Sequence, residues 1–304
     1  MNEMKEYHNN PFPHLIIDNF ISKDYCDSLI NDAKSNIENY SNVIHGGRNF
    51  LPRSSEEFKK LIAKSRNWKE LERKINSKEF YEKFIKKIIT ESPTKDYAKW
   101  LTKKSIYLSE LPSITNFLNY RNNLKWKRLI NSKVNSISSL KLFQIILINQ
   151  IDNLYRILVS IFDNFKNKRR FTLLYDYSIS NEGYEREIHR DSDSRVIVFL
   201  LYLSSIEDDI GGNLEIFELL KKKKLYDPLP QKKSVSKISE IKPMAGRMVI
   251  FLNTSNAYHA VSHMQKSKFG RHFIYGGFTL SSSLFSLAKL GSSKSLATAY
   301  HIYK

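Results

Sequence analysis

The feature that most constrains the fold is a series of short apolar segments separated by turn residues between positions 171 and 280. Residues 195–203 (RVIVFLLYL) are dominated by β-forming side chains, which predicts a strand buried in a core. Turn residues separate this segment from the next, beginning with Gly211-Gly212. The segments that follow are 213–217, 247–252 and 271–278. This part of the chain is therefore predicted to be built on β-strands.

Two residues just before the longest apolar segment have the spacing of metal ligands. His189 and Asp191 lie two positions apart, and side chains at i and i+2 of a strand point to one face. His259 follows a later predicted strand and can supply a third ligand from a neighbouring strand. Two histidines and one carboxylate form the facial triad of non-haem Fe(II) oxygenases, which leaves positions open for a co-substrate and O₂. His189, Asp191 and His259 are therefore the candidate metal-binding and catalytic residues.

The His-x-Asp pair is a weak signal by itself, because the chain has eight histidines and Asp191 opens a loop-like run. His263 and His272 are the alternatives to His259. His263 falls in the loop predicted at 262–270, and His272 would point away from the face on which Arg271 lies. The flanking strand pattern favours His259.

Arg271 is the candidate anion-binding residue. It opens an otherwise apolar strand, and an arginine is costly to bury there without an anionic partner. A carboxylate co-substrate supplies that partner through a bidentate, charge-assisted contact. Lys268 is the alternative cation.

The order of these features resembles the 2-oxoglutarate- and Fe(II)-dependent oxygenases, in particular their prolyl-4-hydroxylase-like branch. Members of that branch read His-x-Asp, a strand ending in Tyr-Leu, Gly-Gly, Gly-x-x-x-x-Phe, His-x-Val and Arg. The matching residues here are His189, Asp191, Tyr202, Leu203, Gly211, Gly212, Gly246, Phe251, His259, Val261 and Arg271. The resemblance covers residues 171–280. More faintly, residues 11–21 and the helix predicted after Ser22 are similar to the start of the branch's barrel.

The resemblance implies an α+β fold, with a double-stranded β-helix (jelly-roll) barrel core and a large helical insertion packed against it. It implies Fe(II), 2-oxoglutarate and O₂, with ascorbate as a candidate reductant. Tyr202 would contact 2-oxoglutarate beside Arg271. Tyr175 and Tyr177 share one face of a preceding strand and would line the pocket, and Tyr184 is a weaker candidate. The implied reaction hydroxylates an unactivated C–H bond of an amino acid, a peptidyl residue or a small metabolite, with release of succinate and CO₂.

Three alternative functions stay open. A nucleic-acid-directed oxidative demethylase of the same superfamily carries a second arginine six positions after the first, where this chain has Gly277. A non-catalytic basic barrel acting as a binding module would not need the intact triad. A metal-binding, cupin-like protein that uses no oxoacid would not need Arg271. Within the oxygenases, Asp191 favours hydroxylation over halogenation, because the halogenases replace that carboxylate with a small residue.

The chain is predicted to be a single oxygenase domain, residues 1–304. Residues 56–167 are predicted to be helical almost throughout, because apolar residues recur at three-and-four spacing in 68–75 and 80–89. The predicted parts are a first strand, helix and loop at 11–55, a helical insertion at 56–167, the barrel core at 168–280 and a C-terminal tail at 281–304.

The composition bounds the partners and the compartment. A net charge of +18, from 49 Lys and Arg against 31 Asp and Glu, is compatible with an anionic partner such as nucleic acid. The joint abundance of Lys, Asn, Ile and Ser makes a compositional origin the simpler explanation. The single cysteine, Cys26, excludes an intrachain disulfide and suits a reducing compartment. Without a signal peptide or an apolar run of ~20 residues, a cytoplasmic protein with no membrane span is predicted.

The substrate is expected to be a small molecule or a peptidyl group rather than nucleic acid. The candidate substrate contacts are the loops at 45–50, 53–55 and 220–242. The last of these lies between two predicted strands and is long enough to act as a lid.

Overall fold

The computed structural model describes residues 4–38, 40–42, 47–90, 105–108, 168–191, 195–220, 229–254, 256–268 and 270–280. The strands are β1 (Met4–His8), β2 (His14–Asp18), β3 (Ser41–Asn42), β4 (Arg48–Pro52), β5 (Ser105–Leu108), β6 (Lys168–Ser180), β7 (Arg186–His189), β8 (Arg195–Tyr202), β9 (Leu214–Leu219), β10 (Val235–Ile241), β11 (Met248–Leu252), β12 (Tyr258–Val261) and β13 (Arg271–Leu280). The α-helices are α1 (Lys23–Asn36), α2 (Glu56–Lys64), α3 (Arg66–Ile75), α4 (Lys78–Phe80) and α5 (Lys86–Thr90). A π-helical turn (Tyr81–Ile85) joins the last two helices, and a 3-10 turn (Lys232–Ser234) precedes β10.

The strands form two sheets. In the large sheet the order is β1-β2-β11-β8-β13-β6-β4-β3, with β5 pairing in addition with β6. The small sheet has the order β10-β9-β12-β7. Except for the parallel pair of β5 and β6, neighbouring strands are antiparallel. Because β2 pairs with β11 and β4 pairs with β6, the N-terminal strands complete a sheet whose centre comes from the second half of the chain.

The large sheet is covered on both faces, which explains why β8 is apolar along nearly its whole length. Val198, Leu200 and Tyr202 belong to a buried cluster shared with the small sheet. Phe199 and Leu201 alternate with them and belong to a buried cluster shared with the helices. The face toward the small sheet is called the inner face below, and the face toward the helices is called the outer face.

Serine side chains begin the helices that cover the outer face. Ser22, Ser55 and Ser65 each accept a hydrogen bond from the backbone N–H three residues further on, which satisfies a donor in the first turn. Trp68 is fully buried, and its indole N–H donates to the carbonyl of Leu29 at 2.9 Å, so that α3 is tied to α1. No helix in the described part of the chain combines the length and the apolar composition of a membrane span.

The strands predicted from the sequence between 195 and 278 are confirmed as β8, β9, β11 and β13. The strand and helix expected after residues 11 and 22 are β2 and α1. The loop predicted at 262–270 is irregular in its described residues, and it is bonded to other loops. The N–H of Met264 donates to the carbonyl of Tyr184, and the N–H of Gln265 donates to that of Ile210.

The predicted helical segment at 56–167 needs one correction. Residues 56–90 are almost entirely helical, as expected. Residues 105–108 form β5 instead, which pairs in parallel with the first residues of β6, so sheet pairing overrides helical periodicity there. Positions 91–104 and 109–167, the tail at 281–304, and residues 43–46 and 221–228 of the candidate substrate loops and their surroundings lie outside the described residues.

Candidate metal centre

The small sheet brings the three predicted ligands together. His189 ends β7, Asp191 follows two positions later, and His259 lies on β12 directly opposite His189 in the strand register. The potential ligand atoms of all three residues lie within 4.8 Å of one another. His259 Nε2 lies 3.9 Å from Asp191 Oδ2, and the two imidazole rings are 4.3 Å apart. Two histidines and one carboxylate therefore converge on one point.

The backbone orients both imidazoles. Nδ1 of His189 lies 2.8 Å from the carbonyl oxygen of Glu187, and Nδ1 of His259 lies 3.0 Å from that of Ala257. A carbonyl only accepts, so each Nδ1 carries the proton and donates. The lone pair is then on Nε2, which is the arrangement of a metal-binding histidine whose other nitrogen is held by a hydrogen bond.

The two oxygens of Asp191 have different environments. Oδ1 accepts a hydrogen bond from the Tyr275 hydroxyl at 2.6 Å and lies 3.6 Å from Nη1 of Arg195. Oδ2 is buried and has no hydrogen-bond partner within the described residues. A buried carboxylate oxygen is costly to leave unsatisfied. Since it sits beside Nε2 of His259, a divalent cation between these ligands would satisfy it.

The protonation of the three groups suits a metal. Burial lowers the pKa of His189 to about 3, with a further lowering from the neighbouring His259. Burial also lowers the pKa of His259. Burial alone would raise the pKa of Asp191, but the charge of Arg195 and the two histidines lower it to about 2. Near neutral pH the site therefore offers two neutral imidazoles and a carboxylate, the forms that bind metal ions.

Arg271 forms a second site on the inner face. It begins β13 and is completely buried, yet Nε, Nη1 and Nη2 all lack hydrogen-bond partners among the residues that the structure describes. The guanidinium carbon lies 4.2 Å from the ring centre of Phe273 and 5.1 Å from that of Tyr202. The Tyr202 hydroxyl is likewise buried without such a partner. A buried cation that has a neutral tyrosine beside it and no anionic partner among the described residues fits a bound anion.

One face of β13 connects the two sites. Arg271, Phe273 and Tyr275 alternate along the strand and so share the inner face. Tyr275 contacts Asp191. Arg271 lies four residues before Tyr275 on the same strand, which is about 13 Å along the backbone. Gly212 lies against Arg271: a Cβ there would come within 3.3 Å of Arg271 Cδ. A dicarboxylic acid has a charged group for each site, one carboxylate for a metal at the triad and one for Arg271.

Two predicted pocket residues are placed elsewhere. Tyr175 and Tyr177 do share one face of β6, but it is the outer one. The Tyr175 hydroxyl donates to Glu72, and the Tyr177 hydroxyl lies 2.7 Å from Nδ1 of His272. The prediction that they line the pocket is therefore wrong, because strand alternation gives the inner face of β6 to the even-numbered positions.

The structure places the alternative residues away from the metal ligands and from Arg271. His272 points to the outer face, opposite Arg271, as predicted. His263 is exposed and lies 3.3 Å from the Glu185 carboxylate. Lys268 is exposed, and its backbone N–H donates to Glu207.

Sequence analysis named Arg48 only as part of the candidate substrate loop at 45–50, and it did not predict the polar group that Arg48 forms on the inner face beside the metal ligands. Arg48 Nη2 lies 2.5 Å from Asp176 Oδ1 and 2.8 Å from Ser178 Oγ. Tyr275 and Arg195 complete the group. The sequence did contain a signal: Asp176, Ser178 and Ser180 alternate with apolar residues along β6, which places a polar stripe on one face of a buried strand.

A model of the 2OG-Fe(II) oxygenase superfamily matches residues 163–277, which include the triad and Arg271. No curated protein matches the sequence of this chain.

Among solved structures, a prolyl-4-hydroxylase of Pseudomonas putida is similar at 11% identity and a TM-score of 0.36, covering 88% of this chain and 91% of its own. The viral collagen prolyl hydroxylase of Paramecium bursaria Chlorella virus-1, in its 2OG complex, is similar at 13% identity and a TM-score of 0.37. The match covers 88% of this chain and 94% of the viral chain. A Trichoplax adhaerens prolyl hydroxylase in complex with a hypoxia inducible factor peptide is similar at 12% identity and a TM-score of 0.37. The match covers 88% of this chain and 83% of the Trichoplax chain. At TM-scores this low, none of these likenesses bears on the function of this chain.

Proposed function

We propose, from the premise that residues 163–277 form a domain of the 2OG-Fe(II) oxygenase superfamily, that this 2-oxoglutarate-dependent dioxygenase hydroxylates an unactivated C–H bond. The substrate would be an amino acid, a peptidyl residue or a small metabolite. The order of motifs from His189 to Arg271 favours the prolyl-4-hydroxylase-like branch of the superfamily. The two facing sheets are the expected framework of a double-stranded β-helix, on which residues 56–167 would be an insertion within one domain.

Each proposed site residue has one role. Nε2 of His189 and His259 and Oδ2 of Asp191 would hold Fe(II). Arg271, with the hydroxyl of Tyr202, would bind the distal carboxylate of 2-oxoglutarate. When loaded, the centre supplies the oxidative chemistry that couples O₂ and 2-oxoglutarate to hydroxylation, releasing succinate and CO₂, and ascorbate is a candidate reductant.

The observation that carries the proposal is that two unsatisfied groups of opposite charge border the space between the two sheets, Arg271 on the inner face of the large sheet and Asp191 next to Tyr275 of that face. A bound cation would satisfy Oδ2 of Asp191, and a bound anion would satisfy the guanidinium of Arg271. 2-Oxoglutarate meets both demands in one molecule, since one end can chelate the metal and the other end is a carboxylate. Phe273 and Tyr202 would keep water from the charged end, which strengthens the ion pair.

The nucleic-acid demethylase alternative meets a steric obstacle. The second arginine of that subfamily would fall at Gly277, where a Cβ would lie 2.0 Å from the carbonyl oxygen of Ile197. No side chain fits there without moving β8. The non-catalytic barrel is disfavoured by the convergent triad, and the cupin-like protein by the unpaired Arg271.

The test is an anaerobic titration of the apo-protein with Fe(II) and then with 2-oxoglutarate, followed by visible absorption. We expect the metal-to-ligand charge-transfer band of the chelate to appear. His259→Ala should abolish the band, while the outer-face control Tyr177→Phe should retain it. Asp191→Ala should abolish turnover of 2-oxoglutarate to succinate.

Two outcomes would contradict the proposal in different ways. Iron binding without the band would show that the Arg271 site does not take 2-oxoglutarate, and would favour the cupin-like protein. Absence of metal binding would favour the basic binding module.

A further inference from the structure

Tyr275 is held next to the carboxylate ligand by more than one contact. Its hydroxyl donates to Oδ1 of Asp191 at 2.6 Å and accepts a hydrogen bond from Nη1 of Arg195. The guanidinium carbon of Arg195 lies 4.7 Å from the centre of the Tyr275 ring, within the range of a cation–π contact. The phenol therefore has one donor and one acceptor contact, and both are used.

Gly277 makes room for this arrangement. A Cβ at Gly277 would lie 3.1 Å from Cδ of Arg195. The absence of a side chain lets the stem of Arg195 cross over β13 and bring its guanidinium to Tyr275. The same glycine that leaves no place for a second arginine on β13 thus admits an arginine from β8.

Arg48 supports Tyr275 from β4. Its guanidinium carbon lies 5.5 Å from the Tyr275 ring centre, and Asp176 and Ser178 hold the guanidinium in place. These partners come from strands β4 and β6, whereas Arg195 comes from β8. Because three strands fix one tyrosine, its hydroxyl is a rigid donor toward Asp191.

We propose that Tyr275, held by Arg195, is a positioning residue that keeps Oδ1 of Asp191 away from the metal, so that Oδ2 alone is a ligand. This inference rests on the proposed function. A carboxylate can bind a metal through one oxygen or two. A second oxygen from Asp191 would occupy a position that the co-substrate or O₂ needs, because the facial triad functions through its open positions.

The pattern of hydrogen bonding supports one-oxygen binding. Oδ1 is satisfied by Tyr275 and faces Arg195, whereas Oδ2 is unsatisfied within the described structure and lies beside Nε2 of His259. Rotating the carboxylate to present both oxygens to a metal would break the 2.6 Å hydrogen bond in a buried site. Neither Tyr275 nor Arg195 touches the reacting atoms in this account. Both act through Asp191.

The experiment compares Tyr275→Phe with Tyr177→Phe. Each variant removes one hydroxyl, and with it a short hydrogen bond, from a tyrosine of the large sheet. Tyr275 lies on the inner face of that sheet and Tyr177 on its outer face. The probe is Co(II) added to the full-length apo-protein, with its Kd from isothermal titration calorimetry and its visible absorption recorded at saturation. Thermal melting of both variants checks folding.

Tyr275→Phe should weaken Co(II) binding by roughly 10–100-fold, the usual effect of removing a hydrogen bond from a metal ligand. It should also lower the intensity of the Co(II) visible bands, because a second Asp191 oxygen raises the coordination number. Arg195→Gln should produce the same spectral change in smaller measure. Tyr177→Phe should match the wild type in both readouts, since a purely structural hydrogen bond would not move the spectrum.

The inference and the proposed function fail separately. If the wild type binds Co(II) and Tyr275→Phe reproduces its Kd and spectrum, Tyr275 is structural only and the inference is overturned, while the triad stands. A spectral change in Tyr275→Phe but not in Arg195→Gln would overturn the role given to Arg195. If the wild type binds no Co(II), the proposed function and the inference fall together.

Discussion

The inner and outer faces of the large sheet are made by the same strands, yet their polar groups are satisfied to different degrees. On the outer face, the Tyr175 hydroxyl donates to Glu72, and the Tyr177 hydroxyl pairs with His272. On the inner face, Arg271 has no hydrogen-bond partner within the described ranges. The same holds for Oδ2 of Asp191, which the small sheet brings against Tyr275 of that face. Arg271 and His272 are consecutive residues of β13, so an unsatisfied side chain on one face is adjacent in sequence to a hydrogen-bonded side chain on the other.

This difference distinguishes polar groups that are paired within the fold from groups that a bound ligand would satisfy. Buried polar groups are nearly always paired in folded proteins. The outer-face pairs follow that rule: the first joins α3 to β6, and the second joins β13 to β6. The exceptions cluster on the inner face, beside the triad, where ligands of opposite charge would complete them. Unsatisfied groups therefore identify the site more directly than residue type does.

The largest effect is expected from Arg271→Met, which replaces the buried cation by an apolar side chain of similar length. The affinity for 2-oxoglutarate should fall by roughly 30–4,000-fold, because truncating one partner of a buried charge pair costs about 2–5 kcal/mol. The ligand-free protein should gain about 1–4 kcal/mol of stability, since an unpaired buried charge is removed. Binding is measured by calorimetry in the presence of Mn(II), and stability by urea unfolding without ligand.

A loss of stability in ligand-free Arg271→Met would contradict the contrast between the faces, because it would show that Arg271 is already paired. Retained affinity for 2-oxoglutarate would remove Arg271 from the proposed site.

A smaller effect is expected from Glu72→Ala on the outer face, where the change should lower stability and leave ligand affinity unchanged. This change removes the partner of the Tyr175 hydroxyl and of Arg53, whose Nη2 lies 2.5 Å from the carboxylate. Both side chains of the ion pair are about one-fifth exposed, so solvent screening reduces its contribution. We expect a loss of about 1–3 kcal/mol of stability in urea unfolding. The Kd for 2-oxoglutarate should not change, and a parallel loss of affinity would show that the two faces are coupled.

The smallest effect is expected from Tyr177→Phe, which removes only the hydroxyl bonded to His272. The free energy of unfolding should fall by about 1 kcal/mol, the net contribution of a typical hydrogen bond. Metal binding should equal that of the wild type. A loss of metal affinity would mean that the outer-face tyrosine had been assigned to the wrong side of the sheet.

The strands of the core were predictable because each carries local signals. β8 is a continuous run of β-forming residues, and Gly211-Gly212 and Gly246, which adopt positive φ angles, mark turns that a side chain would strain. β5 was not predictable, since a strand of four residues depends on its partner β6 rather than on its own pattern.

The site was predictable where spacing alone determines geometry. The two-residue spacing predicted that His189 and Asp191 lie together, and their ligand atoms do converge with that of His259, although β7 ends at His189 and Asp191 lies just beyond it. Arg271 is informative because it begins an otherwise apolar strand. The prediction that Tyr175 and Tyr177 face the pocket was wrong. Strand periodicity shows which residues share a face, but it does not show which of the two faces holds the ligand. Arg48 and Asp176, separated by 128 positions, meet only through the pairing of β4 with β6, which no local pattern encodes.

Gly277 has a consequence for how this protein can evolve. A single mutation to arginine would force Cβ against the carbonyl of Ile197 and against the stem of Arg195, so the central strands would have to part first. A descendant could acquire the second arginine only together with compensating changes in β8, so no single substitution leads from this chain to one that carries both arginines.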